Sequence, residues 1–557
     1  MNLDHHILTL IIFLPLAGAI LLAFLPDRGR TMQWTTLAVT LLTFFLTLHL
    51  PAHYDYAAAA ANPHLFQFEQ NTPWIASPAI RYHLGVDGLS LWLVVLTGLL
   101  APLGVLVSWN TIDSRRKTFY IFFLLQQVAM LGVFAALDLF LYYAFWELSL
   151  VPMTVLIATF GRTDNRRRAA IKYFLYAFIP SAILLVGILW IYAQTGTFDL
   201  PQLQALAEHH AIPGTSAALW LASLAFLFAF AVKVPVFPLH GWLSDAIAEA
   251  PTAAVMVLAG KLGLYSILRF SFGIFPAQSH RIAPLMLALG AIGIAYGALI
   301  AVVQKDLKRL AAYSTLSALG FIVLGIFTFT ISGVDGGIFQ ILSESLSGAS
   351  LFMLMGMLYE RYGTYDMRDY GGLAARLPWL VTMFVVTTLS LIGLPMLNSF
   401  VGEFLILSGG MQTLFAHHVL WTVIGTTGVI LSAGYMLSMI QRLFYGELGL
   451  RAGDAPGRDL DAREHLALWP LVALFLLLGV ASPFWMRAID PAGSRIAHTL
   501  PRSLTPATEL NAAAPCTPTG RQAGSAACNQ PATFLDPDLA AAALGKKAPP
   551  TNPGARY

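Results

Sequence analysis

Five ionisable residues stand inside long apolar runs of this 557-residue chain: Glu147, Lys233, Lys261, Glu344 and Glu403. Each costs about 2.5–3.5 kcal/mol at the centre of a membrane helix on insertion scales. A single one reads equally well as a structural ion pair or a snorkelling side chain, although glutamate has a short stem for snorkelling. Five, of both signs, in a chain only 11% charged point to an ion pathway instead. Carboxylates and lysines both take up and release protons.

Two of the five lie beside helix breakers. Lys233 precedes Pro235 and Pro238, and Glu403 follows Ile392-Gly393-Leu394-Pro395 and Asn398. Proline removes a backbone donor and clashes with the preceding turn. Unwound backbone at membrane depth is tolerated where it is buried or lines a wet cavity. Two charged broken helices, five helices apart, mark an internally repeated transporter. His240 stands at the cytoplasmic end of the first broken helix, where it either gates proton uptake or caps the helix. Gly293-x-x-x-Gly297 reads as helix packing.

The elements that position these residues are membrane helices. The chain is 57% apolar, and a soluble domain carries about 25% charge. Apolar runs place fourteen helices near 5–25, 34–50, 86–109, 118–137, 138–160, 170–194, 216–240, 251–275, 282–304, 308–331, 336–361, 378–408, 417–445 and 465–487. Fold class is therefore an all-α polytopic membrane protein with two inverted five-helix repeats. Residues 1–110 form helices 1–3 and an outside loop, 111–275 repeat one, 276–446 repeat two, 447–490 helix 14 and the loop before it, and 491–557 a low-complexity outside tail. At about 1.5 Å per residue, Glu147 and Lys261 fall near the midplane and Glu403 nearer the outside.

Alternate loops carry the basic residues, among them Arg28, Arg30, Arg115, Arg116, Lys117, Arg166, Arg167, Arg168, Lys305, Lys308, Arg361 and Arg442. Those loops are expected in the cytoplasm of a bacterial cell, leaving both termini outside the inner membrane. Asp4, His5 and His6 replace the basic residues of a cleaved signal, so the first apolar run is expected to be retained. A net charge of +3 argues against nucleic acid as a partner. The two cysteines, Cys516 and Cys528, lie in the tail, so the membrane part has no thiolates for an iron–sulfur cluster. Outside an inner membrane they are expected to form a disulfide. The sequence carries no phosphate loop, dinucleotide fingerprint or metal cluster.

Several stretches carry a family resemblance. Phe145-Trp146-Glu147-Leu148-Ser149-Leu150-Val151-Pro152-Met153, Lys233-x-Pro235-x-x-Pro238-x-His240-x-Trp242-Leu243-Ser244-Asp245-Ala246, Asp306-Leu307-Lys308-Arg309-Leu310 and Phe400-Val401-Gly402-Glu403-Phe404 resemble the chain M (chain 4) antiporter-like subunits of respiratory complex I, NADH-quinone oxidoreductase. The wider family includes multisubunit cation/proton antiporters and membrane-bound hydrogenases, which supply the alternative function. The resemblance implies an ion pair of Glu147 with Lys233, a central proton site at Lys261, and Glu403 toward the exit or the next subunit. It implies neighbouring antiporter-like chains as partners, the lipid bilayer as solvent, and no cofactor in this chain. At about 4 Å and an effective dielectric near 20, a carboxylate stabilises a lysine's charge by about 4 kcal/mol. Moving Glu147 away from Lys233 would then switch proton affinity. Glu344 stands where the family has histidine in its eleventh helix, and Ser317-Ala318 where it has one in the tenth. Glu344 is thus expected either to relay protons in histidine's place or to balance the charge of Lys261 or another buried cation.

Overall fold

The computed structural model describes residues 3–258, 261–415, 417–449 and 458–498. Cys516 and Cys528, their expected disulfide, and most of the expected tail lie outside the described residues. Twelve helices among the described residues are long and apolar enough to cross a membrane. The shorter apolar helices Leu91–Val107 and Pro378–Leu391 stand where the sequence places the third and twelfth crossings.

In chain order, α1 (Leu3–Phe24) and α2 (Thr31–His53) are followed by α3 (Tyr56–Ala61) and an antiparallel hairpin, β1 (Gln67–Ile75) with β2 (Ile80–Val86). This hairpin falls in what the sequence read as an outside loop. Next come α4 (Leu91–Val107), α5 (Arg116–Ala135), the fifth crossing as α6 (Leu139–Leu148) and α7 (Leu150–Phe160), and α8 (Arg166–Thr195). A short α9 (Leu200–Glu208) leads to α10 (Ser216–Lys233), and the seventh crossing resumes as α11 (Leu243–Glu249). The eighth crossing carries a π-helical turn. It comprises α12 (Thr252–Leu258), α13 (Lys261–Ser266), a π-helical turn at Ile267–Ser271 and α14 (Phe272–Ile274). The second half holds α15 (Pro276–Val302), α16 (Leu307–Ile326), α17 (Ile331–Tyr362), the broken pair α18 (Pro378–Leu391) and α19 (Asn398–Gln412), α20 (His418–Phe444), α21 (Ala462–Val480) and α22 (Ser482–His498). The helix α22 runs past Pro491, where the sequence began the low-complexity tail.

Polar contacts sort the loops onto two faces. On one, Arg116 and Lys117 donate to the carbonyls of Gly29 and Ala23. Arg162 pairs with Asp306 at 2.9 Å, Lys172 with Asp245 at 2.7 Å and Arg361 with Glu464 at 2.6 Å. This is the basic face. On the other, His49 meets Asp4 at 2.7 Å, His83 meets Asp199 at 2.6 Å, and Arg495 of α22 donates to the Pro63 carbonyl at 3.1 Å. The start of α1 and the end of α22 therefore share the hairpin face, which requires an even number of crossings. Fourteen satisfies it.

The two halves repeat one device on opposite faces. Asp138 caps α6 by accepting from Phe140 and Leu141 N–H, and it bridges to Asp199. Asp306 caps α16 by accepting from Arg309 N–H, and it bridges to Asp366. In each half an Asp-Leu pair opens a helix and the strand-like contact ties it to the segment after the next helix. The first bridge lies on the hairpin face and the second on the basic face, as an inverted repeat demands.

Candidate proton pathway

Lys233 is the last residue of α10, where the helix dipole favours a cation. The chain then unwinds through residues 234–242. Helix ends leave carbonyls without partners, and Trp242 Nε1 covers one by donating to the Val232 carbonyl at 2.9 Å. The buried Lys233 ammonium donates to Tyr173 Oη at 3.3 Å and Ser149 Oγ at 3.5 Å, and lies 5.4 Å from the Trp146 ring centroid. Glu147, next to Trp146 on α6, accepts from Ser181 Oγ, which also accepts from Trp146 Nε1 at 3.1 Å. Glu147 is the carboxylate whose charge reaches Lys233, yet among the described residues the two form no ion pair within 4.0 Å. The expected contact pair is thus replaced by a charge acting across Trp146, Ser149 and Ser181. The physical reason is that α6 stops at Leu148 and the helix restarts after Ser149. This join puts the serine hydroxyl, not the glutamate, against the ammonium.

Lys261 belongs to a second cluster. It is 4% exposed and donates to the Met256 carbonyl at 3.2 Å. Its charge partner is Glu344 of α17, which also lies in the field of Glu403 of α19. Gly263, two residues on from Lys261, packs against Phe230 and Val234, so α13 touches the first break on its other side. No hydrogen bond among the described residues joins the Lys233 cluster directly to Lys261.

The second break is pinned beside Glu344. Asn398, the first residue of α19, donates to the Ser343 carbonyl at 3.1 Å and Ser347 Oγ at 2.9 Å, and accepts from Ser390 Oγ at 2.6 Å. Gly393 forms the turn with φ +69°, and the Glu403 carboxylate lies directly against it. A side chain at 393 would be strained by the backbone and would displace Glu403.

His240 sits in the unwound stretch, half-buried, with its ring 4.9 Å from that of Tyr296. Its Nδ1 has no partner among the described residues, and α11 has no side-chain cap.

Sequence reasoning missed further buried polar groups. Arg269 is fully buried in the π-helical turn and makes a two-pronged bond to Asp87, at 2.7 and 2.5 Å. Arg495 of α22 reaches the same carboxylate at 3.3 Å. A lone arginine near a helix end reads as a snorkelling residue, and nothing in the sequence joins it to Asp87. Tyr435 of α20 donates to Ser314 Oγ at 3.0 Å and lies in the field of both Glu344 and Glu403. Lys308 is buried and donates to the Ala250 carbonyl at 2.5 Å, at the end of α11. The alternation of Ser343, Ser347 and Ser350 on α17 was the available signal for the polar seam.

Residues 136–432 match the family described as NADH:quinone oxidoreductase/Mrp antiporter, transmembrane. The chain is also 39% identical over 509 residues to NADH-quinone oxidoreductase subunit M of Rhodobacter capsulatus, across 89% of this chain and 96% of that relative. The chain belongs to this family. The corresponding subunit M of Escherichia coli K12 is 39% identical over 465 residues, covering 81% of this chain and 89% of the relative. A chain of the respiratory complex I structure from Thermus thermophilus with bound NADH superposes with a TM-score of 0.79 at 30% identity, covering 89% of this chain and 100% of that one. A chain of the Mrp complex from Dietzia sp. gives 0.75 at 22% identity over 89% of this chain and 98% of that one, a likeness of fold. The apolar, polytopic architecture read from composition and the complex I resemblance read from Glu147, Lys233 and Glu403 motifs agree with these relatives.

Proposed function

We propose that this chain is the subunit M-type proton-translocating subunit of a respiratory NADH:quinone oxidoreductase. The observation that carries the reading is a series of lysines and carboxylates, Lys233 with Glu147 and Lys261 with Glu344 and Glu403, two of them beside helix breaks, in a chain whose relatives are named subunit M. Electrons pass elsewhere in the complex, and this chain contributes no redox centre. Its two cysteines lie beyond the last described helix, which supports that assignment. The basic face is cytoplasmic and both ends of the chain lie outside, in the inner membrane of a bacterial cell. Its partners are the neighbouring antiporter-like membrane subunits.

In this reading Glu147 biases the charge state of Lys233 through Ser181, Trp146 and Ser149. A change in that bias is transmitted across the α10 break to Lys261. The proton then moves toward Glu344, Tyr435 and Glu403. His240, in the open turn on the cytoplasmic side of Lys233, serves uptake. The test is proton translocation driven by NADH in inverted membrane vesicles carrying the intact complex. Glu147→Gln and Lys233→Ala should each abolish pumping while the complex assembles. Normal pumping by both variants would refute the reading. A sodium/proton antiporter function, the other activity within this family, would instead appear as sodium-dependent proton movement without NADH.

A further inference from the structure

We propose that the apolar groove between α2, α4, α17, α21 and α22 is a phospholipid-binding site, with one acyl chain lying along the groove and the phosphate held at Arg487. The groove holds about 550 Å³. On α4 it runs from Trp92 to Leu106, about 21 Å at about 1.5 Å per residue. The hydrocarbon core of a bilayer is about 30 Å thick, so the groove follows most of one crossing. Every residue lining it is Leu, Val, Phe, Pro or Trp. Val95 and Leu99, one turn apart on α4, are half-buried, whereas Leu342 and Leu346 of α17, which also line it, are buried.

These walls and this volume select the occupant. A buried water makes about three hydrogen bonds, and the walls carry no polar side chain beyond two indoles. A neighbouring helix does not fit: a helix about 10 Å across occupies roughly 1,600 Å³ over the same length, about three times the groove. A hydrocarbon chain is one carbon thick and needs no polar partner. Lying there, it supplies the dispersion contacts that an open apolar wall lacks.

One end of the groove identifies the hydrocarbon. At the hairpin face the groove ends at Trp92, Phe484 and Trp485, whose ring centroids are 4.4–5.7 Å apart. Such rings sit at headgroup level in membranes. Arg487 lies nearly one turn beyond Phe484 on α22, so the two share a side of the helix. It is exposed and makes no hydrogen bond or ion pair among the described residues. A free guanidinium there matches a phosphodiester through two parallel N–H···O bonds, whereas the uncharged ring of a quinone offers it no anion. At the other end Arg463 donates to the Leu106 carbonyl at 2.9 Å and lies 3.6–3.9 Å from the carboxylates of Glu360, Asp461 and Glu464. Those carboxylates neutralise the guanidinium and repel a phosphate. The lipid therefore belongs to the leaflet on the hairpin face. The site does not depend on the proton-pumping reading, and it sets a lipid chain against the helix that carries Glu344.

The experiment uses the intact complex in vesicles of phosphatidylethanolamine, a fraction of which carries a photoreactive diazirine midway along one acyl chain. The complex is transferred to lipid-free detergent and illuminated, and the labelled peptides are mapped by mass spectrometry. Label should persist on residues 91–107 of α4 and be lost from α8, whose Ile179 and Val186 are 56% and 67% exposed. Leu99→Trp fills the groove and should abolish label on α4, and Arg487→Gln should lower it severalfold. Loss of the α4 label as complete as that of α8 overturns the proposal, and so does undiminished α4 label in Leu99→Trp. Should Leu99→Trp not assemble, Val95→Phe fills the same groove, and the wild-type result decides without either variant. Undiminished label in Arg487→Gln overturns the phosphate assignment. A quinone or a neighbouring subunit's helix in the groove, in a structure of the unaltered complex, overturns the phospholipid.

Discussion

Replacing Asp87 by Asn tests whether buried charge fastens α22 to the bundle. Asp87 sits in the turn between β2 and α4, on the hairpin face, and is 3% exposed. Its Oδ2 accepts from Arg269 Nη1 at 2.7 Å and from Arg495 Nη2 at 3.3 Å, so those two nitrogens lie at most about 6 Å apart, the sum of the distances. Two unit charges at that separation repel by about 3 kcal/mol at an effective dielectric near 20. Asn leaves that repulsion uncompensated and strands a buried guanidinium, a situation that costs about 3–5 kcal/mol. Thermal unfolding of the purified complex and proteolysis of residues 482–498 report the loss. Asp87→Asn should lower the transition and expose α22. Adding Arg495→Leu removes the second charge and should recover a measurable part of the loss. An unchanged transition in Asp87→Asn, or no recovery in the double variant, refutes the electrostatic account.

The same site has a defined pH dependence. Burial alone would raise the Asp87 carboxyl, but Arg269 and then Arg495 outweigh it and hold the group below the usual carboxylate range. A depressed carboxyl contributes fully above its unfolded value, near 3.9, and loses that contribution as pH falls toward the folded value. The clamp should therefore be constant from neutral pH down to about 4 and weaken only below it.

Three further outcomes are expected. Glu344→Gln keeps shape but cannot exchange a proton, so it should stop or greatly slow pumping in vesicles, whereas Glu344→His should retain much of it; normal pumping by the Gln variant would sink the relay role. Gly393→Ala forces a non-glycine residue into the left-handed region at a cost of about 1–2 kcal/mol and pushes on Glu403. It should depress pumping more than assembly, as read by pumping per assembled complex. Tyr435→Phe removes the hydroxyl bonded to Ser314 and should slow proton transfer without loss of stability beyond about 1.5 kcal/mol, checked by pumping and thermal unfolding together.

The membrane fold was legible because its signals are local. Apolar length, the alternation of basic loops and the Pro235, Pro238 and Pro395 breakers each act within one segment, and every expected crossing has a helix at its place. The site residues were legible singly for the same reason: a charge in an apolar run is costly wherever the run packs. Their partners were not. Arg269 finds Asp87 across 182 residues, Arg495 finds it across 408, and Tyr435 finds Ser314 across 121. The hairpin at residues 67–86 alternates too weakly to read as strands, and it exists because α1 and Asp199 hold it through Thr9–Gln70 and His83. Which side chain touches the Lys233 ammonium was not legible either, because motif spacing fixes which residues share a neighbourhood and not which one reaches first. Sequence by itself determined that this chain is a polytopic membrane protein and that its apolar helices carry ionisable residues. Tertiary structure alone decided which groups touch those charges, because hydrogen bonds act over about 3 Å while helices are brought together by packing along their whole length.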